Sequence, residues 1–193
     1  MIVDHYFGGS YTPPTPPTPY TNLSYIYAES SGSNLDLHIS YVIPTNYKIR
    51  LLASVRGETD GVWIGRSDSV RFFGISGTTY NDIGDSFNRL TGDSATFGAE
   101  VGDYMDVTLT NHTMFNAETN VGYTGTTASS VTALNYFVVR LSHLNVYGIE
   151  VWDGDTKTLN LTPVRRNSDN KCGLYDSIGN KFYGSNDFTI IGV

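Results

Sequence analysis

The sequence predicts an all-β fold, an antiparallel two-sheet β-sandwich carried behind an extended N-terminal tail. Three observations predict it. Short apolar runs bounded by turn residues recur at spacings of about 8 to 12 residues along most of the chain. The composition suits strands and turns: 14 tyrosines and frequent Thr and Ser, punctuated by 20 glycines and by Asn and Asp. No window of about 11 residues carries a helical period, and no internal repeat is present.

The elements follow in order. Residues 1–21 form the tail, and residues 22–193 form the sandwich domain. In the tail, Tyr6-Phe7-Gly8-Gly9-Ser10-Tyr11 precedes TPPTPPTP at residues 12–19, where five of eight residues are proline. Each proline fixes φ and removes a donor, so this piece reads as a polyproline-like rod and semi-rigid spacer. Residues 1–11, with Tyr6, Phe7 and Tyr11, read as a candidate docking peptide, because a short aromatic segment orders only against a partner.

Within the domain, residues 49–55 place Ile49, Leu51, Ala53 and Val55 on one face, and Arg50, Leu52 and Ser54 on the other. Residues 104–110 alternate cleanly, with Met105, Val107 and Leu109 facing inward as in a half-buried antiparallel strand. Residues 62–64, 70–75, 136–141 and 147–152 are apolar on both faces, as central strands are. Residues 82–90 predict one short helical turn. The polar stretch 116–132 predicts a long loop or a weak edge strand. Asp153-Gly154 and Gly179-Asn180 predict tight hairpins.

Charge narrows the function. The net charge of -7 argues against nucleic-acid binding, which needs clustered Lys and Arg. The Arg165-Arg166 pair, with Lys171 nearby, reads as a solvated loop. The single cysteine, Cys172, excludes an intramolecular disulfide and reads as a small apolar strand residue. No run approaches the roughly 18 apolar residues of a membrane span. The start lacks a charged segment followed by an apolar one, so synthesis in a cytoplasm is expected. The glycosylation-type triplets at Asn22, Asn111 and Asn160 then read as chance matches.

The sequence offers no centre for catalysis. Glycoside hydrolysis needs two carboxylates on one strand face. In Glu150-Val151-Trp152-Asp153, Glu150 and Trp152 share a face while Asp153 alternates away and starts a turn. His5, His38, His112 and His143 stand at no zinc-type spacing. The pairs Asp153/Asp155, Asp82/Asp85 and Asp103/Asp106 read as turn formers and fall short of the six to eight oxygens that calcium takes. No catalytic residue, metal site or cofactor is therefore expected. Glycan binding is the functional rival, and Trp63 and Trp152 are its candidate aromatic platforms, with core packing as the alternative for Trp63.

The C-terminal stretch, GIEVWDGDTKTLNLTPVRRNSDNKCGLYDSIGNKFYGSNDFTI, is the most specific part of the chain. Val151-Trp152-Asp153-Gly154-Asp155, Pro163-Val164, Gly173-Leu174-Tyr175-Asp176 and Lys181-Phe182-Tyr183 resemble the closing signature of the concanavalin A-like (laminin-G-like) jelly-roll family, common in phage structural proteins and gut-bacterial surface proteins. More faintly, residues 25–32 and 47–57 resemble its opening strands. The resemblance implies a jelly-roll sandwich, with Leu174, Phe182 and Phe188 as core anchors and Tyr175 and Tyr183 burying rings with hydroxyls at the edge. With the peptide-rod-domain layout, it implies a non-enzymatic virion protein of a tailed phage: a capsid decoration, head-fibre or tail-associated subunit. The partners then expected are other virion proteins through residues 1–19, host-surface glycans, and further copies of the chain, although no heptad pattern encodes a coiled coil.

Overall fold

In a computed structural model of the chain, the described residues are 19–29, 35–56, 61–66, 70–76, 79–82, 90–110, 113–124 and 136–193. At 61–63, 66, 70–76, 79–82 and 90–91 the description is of the backbone alone. The early strands are β1 (Tyr20–Asn22), β2 (Ile26–Ala28), β3 (Asp36–Ile39), β4 (Tyr47–Val55), β5 (Gly61–Arg66), β6 (Val70–Ser76), β7 (Thr79–Asp82) and β8 (Leu90–Asp93). A single-turn helix, α1 (Ser94–Phe97), leads to β9 (Tyr104–Thr110), β10 (Thr113–Asn116), β11 (Val121–Thr124), β12 (Phe137–Arg140) and β13 (Leu144–Asp153). The chain closes with β14 (Thr156–Arg166), β15 (Cys172–Asp176), β16 (Lys181–Tyr183) and β17 (Ile190–Gly192).

These strands form two antiparallel sheets. The larger runs β11-β10-β9-β4-β13-β14-β15-β16, with β1 added to β14 and the pair β17-β2 added to β13. The smaller runs β3-β12-β5-β6-β7-β8. The core lies between them: Ile49, Leu51, Val107, Leu109, Ile149, Val151 and Leu161 of the large sheet share one buried cluster with Leu37, Ile39, Ile64, Phe137 and Val139 of the small one. The molecule is thus the all-β, two-sheet sandwich expected from its periodicity.

Strand by strand, the inward faces follow the sequence pattern. In β4, Ile49, Leu51, Ala53 and Val55 join the core, while Leu52 faces outward yet is only 1% exposed. In β9, Met105, Val107 and Leu109 point inward. A one-residue phase slip in β13 is solved by a bulge. Val146 pairs with Ala53 and Gly148 with Leu52, so Tyr147 is an extra residue, and both Val146 and Ile149 remain in the core. The Asp153-Gly154 hairpin forms between β13 and β14, with Gly154 at φ 57°. Gly179-Asn180 closes β15 to β16, with Asn180 at φ 52°.

The residues of the C-terminal signature each have a structural task. A side chain at Gly173 would collide with the Tyr183 carbonyl oxygen and with the Phe182 ring, so only glycine fits. Leu174 is core. The Tyr175 hydroxyl donates to Asn180 Oδ1 at 2.5 Å. Asp176 organises the next turn: its carboxylate accepts from the backbone N–H of Asn160 (3.2 Å), Ile178 (3.0 Å) and Gly179 (2.9 Å). Tyr183 is buried and donates its hydroxyl to Ser40 O at 3.3 Å.

Several expectations need correction. Phe182 is not a core anchor; it is half-buried on the outward side, beneath the Arg166 guanidinium and stacked on Tyr20. Phe188 only flanks the core. Arg165 and Arg166 end β14 instead of lying in a loop, because β1 and β15 pair with both sides of that strand. Of the stretch read as a long loop or a weak edge strand, the edge strand forms at β11, after the end of β10 at Asn116 and a turn at 117–120, while residues 125–132 lie outside the described residues. For the helical turn read at 82–90, Asp82 and Leu90 are strand residues and the rest lies outside the described residues. Among the described residues a helical turn falls at α1, where Asp93 accepts from Thr96 N at 3.1 Å and Gly98 ends the turn at φ 73°.

The first strand among the described residues begins at Tyr20, inside the segment read as tail. Tyr20, Thr21 and Asn22 pair with Arg166, Arg165 and Val164. The Asn167 N–H donates to Pro19 O at 2.8 Å, and the Thr21 hydroxyl donates to Asn167 Oδ1 at 2.8 Å.

Candidate functional site

The outward face of the large sheet gathers the polar and aromatic side chains that the alternation of β4, β9, β13 and β14 turns away from the core. Cross-strand register arranges them in rows. Lys48 pairs with Trp152, which pairs with Lys157. In the next row, Thr108 pairs with Arg50, Arg50 with Glu150, and Glu150 with Asn160.

An ion network is centred on Arg50 and Glu150 of the second row. Arg50 makes a two-pronged contact with Asp106, Nε to Oδ1 at 2.7 Å and Nη2 to Oδ2 at 2.6 Å. Its Nη1 lies 3.5 Å from Glu150 Oε2, and Lys157 Nζ binds the other oxygen of Glu150. The hydrogen bonds to Asp106 push the Arg50 pKa above its ordinary value, so the guanidinium stays charged. Two carboxylates and two cations thus cancel. Glu150 is only 3% exposed. The space between Asp106 and Glu150, where a sugar would sit between catalytic carboxylates, holds the Arg50 guanidinium instead.

Beside this network, Trp152 is half-buried, and the Lys48 and Lys157 ammonium groups lie 4.4 and 5.0 Å from its ring centroid. Glu150 and Trp152 share a face, since Lys157 reaches both. Trp63 belongs to β5 of the small sheet, and its side chain lies outside the described residues, so the two tryptophans do not share a sheet. Tyr6, Phe7 and Tyr11 also lie outside the described residues.

Sequence reasoning missed three features of the surface. A tyrosine cluster lies on the large sheet: Tyr147 stands 5.2 Å from Tyr25 and 5.4 Å, edge-on, from Tyr104. Arg56 stacks 4.0 Å over Tyr27 and donates to Ala28 O at 2.6 Å. A second cluster joins Tyr20, Tyr175, Phe182 and Arg166, with Tyr20 and Tyr175 at 4.7 Å. Arg166 also grips Asp169, at 2.6 Å, and holds that carboxyl at about 2. The third is a cleft of about 400 Å³ between the 170–172 and 185–190 segments, crossed by a 2.7 Å bond from Lys171 Nζ to Asn186 Oδ1. Cys172 lines it, with burial pushing its thiol above the ordinary range. The signal for the two aromatic clusters was the density of tyrosine and of Gly-flanked aromatics, which does not say where they meet.

Of the remaining candidates, His5, His112, Asp85 and the side chain of Asp82 lie outside the described residues. His38 is exposed on β3, 5.4 Å from the Tyr136 ring, and His143 is buried in the turn before β13. Asp103 accepts from Glu100 N at 3.0 Å while Asp106 faces Arg50, so the two do not converge. Among the described residues no group of three His, Cys, Asp or Glu is gathered to hold a metal, and no helix is long and apolar enough to cross a membrane. No family model matches the chain, and no match was found among the curated proteins or the solved structures.

Proposed function

We propose that this chain is a non-enzymatic structural protein of a tailed-phage virion, a capsid decoration, head-fibre or tail-associated subunit of the concanavalin A-like kind. Residues 1–11 dock on the particle, the proline-rich segment 12–19 acts as a stem, and the sandwich faces outward. The observation that carries this reading is the seam at the end of the stem. Pro19 and Thr21 are bonded to Asn167, and Tyr20–Asn22 is a strand of the large sheet. A stem continuous with the sheet suits a body held on a particle. The neutralised Asp106-Arg50-Glu150-Lys157 network supports the non-catalytic part, since its carboxylates are engaged by cations. Copies on one particle turn weak contacts into avidity. Deleting residues 1–19 should abolish incorporation into particles while leaving a folded domain; unchanged incorporation refutes the docking role.

A second reading, a carbohydrate-binding module, is favoured by Trp152, an aromatic ring half-buried on a polar outward face. It predicts micromolar binding on a glycan array, lost on Trp152→Ala or Trp63→Ala with the fold intact.

A further inference from the structure

We propose that the Trp152 site selects acidic saccharides, those that present a carboxylate or sulfate, over neutral ones. This rests on the carbohydrate-binding reading and assigns its ligand class.

The argument begins with what a sugar needs. A neutral pyranose lays its C–H face on an open aromatic ring and donates its hydroxyls to nearby carboxylates and amides. At Trp152 the arrangement is the opposite. The groups at the ring are donors: Lys48 Nζ at 4.4 Å and Lys157 Nζ at 5.0 Å from the centroid. The carboxylate on the same face, Glu150, is 3% exposed and already bound by Arg50 and Lys157. Asp153, next in the strand, alternates away, and its charge bears on the Tyr41 hydroxyl on the other side. The ligand must therefore bring the acceptors.

Charge accounting locates the free cation. Arg50 is engaged by Asp106 and Glu150, and Lys157 by Glu150. Lys48 has the indole as its neighbour and no carboxylate partner among the described residues. Cross-strand pairing of Lys48 with Trp152 fixes the two side by side. One uncompensated ammonium beside one half-buried indole can take a carboxylate or sulfate and the attached ring together, exchanging a cation–π contact for a charge-assisted hydrogen bond. The chain as a whole is acidic, at -7. Its field is screened beyond about 8 Å at physiological salt, so recognition is set by this local positive spot.

The test uses the full chain and three tetrasaccharides of matched linkage: a hexuronate, a sulfated hexose and a neutral hexose. Binding is followed by tryptophan fluorescence and calorimetry. The expected result is binding of the hexuronate or the sulfated oligomer, at least about tenfold tighter than the neutral one, the scale of one charged hydrogen bond. Lys48→Gln should remove that preference, Lys48→Arg should keep it, and added salt should weaken it. Equal binding of neutral and acidic oligomers, sensitive to Trp152→Ala but indifferent to Lys48→Gln, would overturn the proposal and leave the saccharide reading standing. Binding of none of the three would overturn both. An unchanged circular dichroism spectrum for each variant separates these outcomes from misfolding.

Discussion

Replacing Gly173 by alanine probes the packing of the C-terminal signature directly. The new methyl would stand 2.8 Å from Phe182 Cζ and collide with the Tyr183 carbonyl oxygen. Carbon atoms pack at about 3.5 Å or more, so the ring must retreat by about 0.7 Å. The carbonyl is harder to move, because Tyr183 is the ladder partner of Leu174 and its ring is fixed in the core. Overpacking of this kind costs about 1–3 kcal/mol. With a urea slope of about 2 kcal/mol/M, a loss of about 2 kcal/mol lowers the midpoint by about 1 M at unchanged slope. Gly102→Ala is the control: its φ of 99° is strained for alanine, but nothing lies within 4 Å, so only backbone strain of about 1 kcal/mol is expected. Adding Phe182→Leu to Gly173→Ala should recover part of the loss, since it relieves the ring and leaves the carbonyl. A Gly173→Ala midpoint equal to that of the parent would show that the strand pair is slack and that the glycine requirement is wrong.

Two further outcomes follow from the electrostatics. Arg50→Met strands Asp106 and removes one partner of Glu150; the expected loss is about 2 kcal/mol, below the 3–5 of a fully buried pair, because the Arg50 side chain is 28% exposed. A double-mutant cycle with Asp106→Asn should show strong non-additivity, and simple addition would contradict the network. Burial raises the pKa of the Cys172 thiol above its ordinary value, so its reactive thiolate is scarce at neutral pH. Alkylation should be slow there and keep rising with pH past the free-thiol value of about 8.5; a rate plateau reached near pH 8 would contradict the burial.

How much of this was legible depends on the distance over which each feature is written. Strands such as 104–110 carry their facing in their own alternation, and they form where expected. Leu52 was also legible as an apolar residue on the outward side. The Asp153-Gly154 and Gly179-Asn180 turns are local chemistry, and both form. What escaped is written in register between distant strands. Nothing near Arg50 announces Asp106, 56 residues away, or Glu150 beyond it. Phe182 reads as a core residue until Gly173, on the neighbouring strand, proves to be its bed on the outward face. The four-residue helix α1 is too short to have a period, and only its Asp93 cap and Gly98 stop could have marked it. Tyr20 could not be assigned to the sheet because its partner, Arg166, lies at the far end of the chain.

The β1 seam has a mechanical consequence. Its three residue pairs run antiparallel to β14, with Tyr20 at the end where Pro19 enters. A pull on Pro19 along the strand axis would load all three pairs at once, in shear. A pull across the sheet would peel them singly, Tyr20 first. Its ring, stacked against Tyr175 and Phe182, is the catch that meets such a sideways load before any ladder bond yields. A domain loaded through this seam is thus expected to resist a pull along the strand axis better than one across the sheet.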